Sequence, residues 1–235
     1  MPILFGMSAE PFSKKAISFQ FFSGSVVPEI LHALISVKGL LVVTRKGLPN
    51  LTAEDVARIL NHKSASEELV ESMRKNVMTA AEAAAIIFMH STCENAVFAL
   101  IKLLVGYDPD PWIAYVSKRN VAFEEVSSST RDEIKRRLLD EYLEKLEKES
   151  FPKKVDLLLA AIKPSKTSDV ISGFAFDKGV FVRIDELRHR LTHDPSFAKP
   201  IDNAAIDLSY LVDTLRWLVA LSEQKYPGAT KAELN

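Results

Sequence analysis

A single cysteine in 235 residues, Cys93, rules out an intramolecular disulfide framework and a cysteine-based metal cluster, and it fits a reducing compartment. Net charge is equally scarce. Thirty Lys and Arg stand against 31 Asp and Glu, so no global field draws a polyanion and any nucleic-acid contact has to be local. No uninterrupted apolar run reaches about 18 residues. The opening MPILFGMSAEPFSKKAISFQFF lacks the order of basic segment, apolar stretch and small-residue cleavage site that marks a secretory signal. These absences predict a soluble, cytoplasmic protein without membrane contact. HExxH, paired CxxC, GxxxxGKS/T and GxGxxG are missing too, which removes the usual support for zinc hydrolase, P-loop and dinucleotide-binding folds. No metal or cofactor is expected.

What is present is helical patterning. The first two dozen residues, rich in Phe and broken by Pro11 and Gly24, read as an irregular segment packed on the body of the protein. Ser25 to about Arg45 fits a mostly buried helix ended by Gly47 and Pro49, and Thr52 caps a short helix to about Asn61. Ser64 and Glu67 form a capping box from which a long helix should start. Thr79 and Glu82 offer a second box and hence a break or kink. Beyond it Ile86, His90, Cys93, Val97, Leu100 and Leu104 recur at steps of four and three, the seam of a central helix.

Asp108-Pro109-Asp110-Pro111 interrupts the pattern. A short helix from Trp112 to Lys118, a charged helix from Thr130 to about Glu149 and an apolar one from Val155 to Ile162 follow. Lys163 to Gly179 is the least helical stretch, and the residues from Phe174 to Val182 read as a small hairpin or an ordered loop. Asp202 is a reasonable N-cap for a closing helix with Ile206, Leu208, Leu211, Val212, Leu215, Leu218 and Val219 inward. The expected architecture is all-α, a bundle of about seven helices with at most one small hairpin. Residues 1–78 form an accessory helical segment, 79–226 the bundle and 227–235 a polar tail.

Titratable groups crowd together at one place, Arg188-His189-Arg190-Leu191-Thr192-His193, followed by Asp194-Pro195. Ile184, Leu187 and Leu191 supply the buried stripe of a helix that Pro195 stops, so His193 falls in its last turn. A permanently charged guanidinium and an imidazole that titrates near neutrality are the parts that metal-free phosphoryl transfer needs. Five residues are a rotation of about 140° on an ideal helix, so Arg188 and His193 do not share a face, whereas His189 and His193 do. Arg183 and His189 satisfy a looser version of the same spacing.

An Arg, a polar residue directly after it, and His at the fifth following position, at a helix end in an all-α chain, resemble the HEPN (higher eukaryotes and prokaryotes nucleotide-binding) superfamily. The resemblance rests on Arg188, His189 and His193. It implies a homodimer whose two motifs meet in one cleft, and metal-independent endoribonuclease activity. His193 would be general acid or base, Arg188 the phosphate anchor, and His189 would orient the substrate or His193. It also implies RNA or a nucleotide as ligand, a toxin or defence role, and an antitoxin as a possible partner.

Two other readings of the same residues stay open. In one, Arg188 holds a nucleotide or RNA and nothing is cut. In the other, Arg and His simply interact with the free carbonyls of a last helical turn in a helical interaction module. His90 and Cys93 read as a satisfied core histidine beside a buried thiol.

Overall fold

The computed structural model of the chain describes residues 26–116, 130–164, 173–193, 201 and 203–227, with backbone alone for 26–35 and 38. Among these residues the protein is all-α, a helical bundle with no strand. Its helices are α1 (Val26–Gly47), α2 (Ala53–Ile59), α3 (Glu67–Tyr107), α4 (Asp110–Ile113), α5 (Arg131–Glu147), α6 (Phe151–Ile162), α7 (Lys178–His193) and α8 (Ala204–Lys225), with a 3-10 turn at Leu48–Asn50. The expected irregular N-terminal segment, the stop at Asp194-Pro195, the Asp202 cap and the end of the polar tail lie outside the described residues.

Local chemistry starts most of these helices. Thr52 and Asp55 make a reciprocal capping box for α2, and Thr130 and Glu133 make another for α5. In α3 the cap sits two residues later than its sequence signal: the Ser66 hydroxyl accepts from the backbone N–H of Leu69 at 3.3 Å. The α6 helix carries Pro near its first position and stops at Lys163, which adopts a left-handed φ of 48°.

The break expected at Thr79 is absent. The α3 helix runs 41 residues without interruption, so position 79 lies inside it. The Thr79 hydroxyl donates to the Lys75 carbonyl one turn back at 3.0 Å, the bond a helix-interior threonine makes. Glu82 pairs with Arg45 of α1 at 3.1 Å rather than closing a box. Ile86, His90, Cys93, Val97, Leu100 and Leu104 are all buried, as their spacing requires. By length and composition α3 would also span a membrane, but 61% of its most apolar window is buried within the protein, as in a bundle's central helix.

The chain forms two compact units. The described residues of 26–27, 96–174 and 217–235 make up one, and those of 28–95 and 175–216 the other. In the first, Trp112, Leu139, Phe151, Leu158, Ile162 and Leu218 are fully or almost fully buried, and the Lys102 ammonium lies 4.4 Å above the Phe98 ring. In the second, α3, α7 and α8 contribute Ile86, Met89, Phe181, Ile184, Leu208 and Leu211 to the core. Arg74 fastens the 3-10 turn there, donating to the carbonyls of Leu48 at 3.1 Å and Leu51 at 2.7 Å.

Two expectations fail at α7 and α8. No hairpin forms from Phe174 to Val182, because α7 already begins at Lys178. Ile206 is 65% exposed rather than inward, because α8 turns Asp207 and Leu208 into the core.

Burial pushes the Cys93 thiol up to about 12 from an ordinary 9.0. Within that window the unfolded chain loses a proton that the folded chain keeps. Stability is therefore whole below about pH 9 and falls as the pH rises toward 12. Burial also raises the Tyr142, Tyr210 and Tyr226 hydroxyls, which adds to the alkaline loss in the same direction. At neutral pH, Cys93 is expected to resist an aromatic disulfide reagent until denaturant is added; rapid labelling of the native protein would contradict its burial.

Candidate functional site

The motif lies on α7, and four polar ties fix the N-terminal half of that helix. Asp177 precedes it and caps it, its Oδ1 accepting from the backbone N–H groups of Gly179 at 2.7 Å and Val180 at 3.3 Å. The Tyr210 hydroxyl of α8 donates to the Asp177 carbonyl at 2.8 Å and accepts from the Asp177 N–H at 2.7 Å. Six residues on, Arg183 grips Asp207 of α8 through both terminal nitrogens, Nη1 to Oδ2 at 3.1 Å. That bond holds the guanidinium above its ordinary value. Finally, Asp185 Oδ1 accepts from Nε2 of the buried His90 on α3 at 2.7 Å. Tyr210→Phe removes one tie and is expected to cost about 1 kcal/mol in urea unfolding; an unchanged midpoint would show that the tie contributes nothing.

The last two turns of α7 carry the motif beyond these ties. Phe181 and Ile184 are buried and Leu187 and Leu191 half-buried, so the apolar stripe faces inward as the spacing predicts. Arg188 continues the line of Ile184 and is itself half-buried. Its Nε is fully buried with no hydrogen-bond partner, and the guanidinium makes no ion pair among the described residues. His189 and His193 are exposed, and their rings meet with centroids 4.5 Å apart. The shared face expected of this pair is therefore present. The helix ends at His193, and the Thr192 hydroxyl donates to the Arg188 carbonyl at 2.8 Å.

Arg188 and His193 remain about 140° apart around the helix axis, so α7 alone does not bring them to one point. What α7 does present is a cation with unused donors on one side and two touching imidazoles on another. A guanidinium can bind an oxyanion, and an imidazole can exchange protons with one. No group of three or more His, Cys, Asp or Glu side chains able to hold a metal occurs among the described residues.

His90 is a core histidine held through Nε2 by Asp185, and Cys93 is a buried thiol. The acid that holds His90 comes from α7, however, and not from its own helix. Asp185, Asp207 and Tyr210 carried no motif signal, since each acts on a residue distant in sequence.

Comparison of the chain with protein-family models, with curated proteins and with solved structures found no match.

Proposed function

We propose that this chain is a HEPN-like ribonuclease that acts without a metal, as a homodimer in which the C-terminal ends of two α7 helices form one cleft. One observation carries the reading: Arg188 keeps a buried, unused Nε and no counter-ion among the described residues, one residue from an imidazole that touches a second imidazole at the helix end. A half-buried cation with no ion pair among the described residues favours an anionic ligand, and the guanidinium fork fits a phosphodiester.

In the reaction, a histidine takes the proton from a ribose 2′-hydroxyl and that oxygen attacks the adjacent phosphorus. Arg188 stabilises the charge gathering on the non-bridging oxygens. The bond to the 5′-oxygen breaks, and that oxygen takes a proton from a protonated imidazole. His193 supplies acid or base, and His189 orients it or the substrate. A two-fold assembly brings the Arg188 of each copy to the His193 of the other, which gives two equivalent composite sites in the one cleft.

The direct test is incubation of the purified protein with single-stranded RNA in chelator, with the product ends analysed. Products bearing 2′,3′-cyclic phosphates are the expected result. The wide angle between Arg188 and His193 favours a second reading, a binder that cuts nothing. Intact RNA, together with an affinity that falls in Arg188→Ala, would select it; intact RNA with no binding would end both.

A further inference from the structure

A cavity of about 420 Å³ opens in the first unit, between α5, α6 and the turn at Tyr115 and Val116. Its size is that of a small-molecule pocket, and none of the α7 motif residues lines it. Leu138, Leu146, Leu157 and Val116 give it an apolar lining.

The polar groups of the wall divide sharply. Glu149 is matched by Lys153 at 2.6 Å, and Glu141 has Arg137 at 3.9 Å. Three donors are left over. The hydroxyls of Tyr115 and Tyr142 and the ammonium of Lys145 line the cavity without a hydrogen-bond or ion-pair partner among the described residues. Burial raises the Tyr142 hydroxyl, with Tyr115 and Glu149 adding to the effect, so it stays a protonated donor at neutral pH.

One cationic and two neutral donors over an apolar lining suit a ligand with a single negative charge on a hydrocarbon or aromatic body. The two glutamates disfavour a dianion such as a phosphate monoester, and the unpaired lysine disfavours an organic cation. We propose that this cavity binds an amphipathic carboxylate, with the carboxylate on Lys145, Tyr115 and Tyr142 and the apolar body against Leu138 and Leu157.

The test is calorimetric titration of the full chain with decanoate, kept below its micelle concentration, beside decanol and decylamine of equal chain length. Saturable one-to-one binding of decanoate is expected, with decanol at least about tenfold weaker and decylamine weaker still. Lys145→Met should weaken decanoate by about tenfold or more, because it removes the charged donor. Leu157→Trp fills the cavity and should abolish binding while thermal unfolding stays cooperative. If Leu157→Trp fails to fold, Tyr142→Phe, which removes only a hydroxyl, should still weaken decanoate severalfold. The proposal is overturned if decanoate gives no saturable heat, if decylamine binds as well, or if the folded variants bind like the parent.

Discussion

His193→Ala should cleave RNA at least about 100-fold more slowly than the parent, since a positioned acid or base contributes about 10² to 10⁴ in rate. His193 is exposed and ends its helix, so the loss should come without a fall in stability, which thermal unfolding of the variant will show. Arg188→Ala should lose a comparable factor through the charge it no longer stabilises. Arg188→Lys should recover little, because a point charge does not replace the guanidinium fork. The paired-subunit reading adds a sharper expectation. Two inactive variants, Arg188→Ala and His193→Ala, mixed and allowed to exchange subunits, will form heterodimers in which one of the two composite sites is intact. About a quarter of the parent's activity should return, from statistical exchange in a two-fold dimer. A His193→Ala protein as fast as the parent removes this residue from the mechanism, and inactive variants that never complement remove the shared cleft.

Much of the helical framework was legible because it is written in adjacent residues. Thr52 caps α2 and Thr130 opens α5 where the sequence places them, and Asp55 and Glu133 close the boxes. The seam from Ile86 to Leu104 is buried throughout. The failures share a cause, which is that a local signal can be outvoted by burial. Thr79 and Glu82 have the letters of a box, but an alanine-rich run with a buried face continues past them. Thr79 then bonds back to Lys75 and Glu82 turns to Arg45. Val180, Phe181 and Val182 have strand propensity, yet the Asp177 cap and the burial of Phe181 and Ile184 wind them into α7. Ile206 was assigned inward for being apolar, whereas the phase of α8 is set by its longer buried stripe, in which Asp207 occupies the inward place.

The candidate site was legible to the same degree. That Arg188, His189 and His193 occupy the last turns of one helix, with the two imidazoles together and the guanidinium turned away, follows from spacing alone. What holds that helix does not. His90 and Asp185 are 95 residues apart, and Arg183 and Asp207 are 24 apart on successive helices. No local pattern encodes such pairs, because each member satisfies the rules of its own helix without the other. The half-burial of Arg188 is of the same kind: whether a cation in a last turn is solvated or sheltered depends on what packs beside it.

The strongest structural effect is expected at the clamp that pins α7. Arg183→Met leaves Asp207 wholly buried with its cation gone. Stranding a buried charge costs about 3 to 5 kcal/mol in a closed interior. The Arg183 side chain is 49% exposed, so solvent screens part of the pair and an effect of about 2 to 3 kcal/mol is the appropriate expectation. Urea unfolding should show it as a lower midpoint with an unchanged slope. Asp207→Leu in the same background removes the stranded charge and should restore most of the loss, since an apolar pair of similar volume is often neutral or better. The double-mutant cycle then separates the penalty of an orphaned carboxylate from any net gain of the pair. If Arg183→Met unfolds at the parent's midpoint, the clamp does not hold α7, and the ties at Asp177 and Asp185 must position the motif without it.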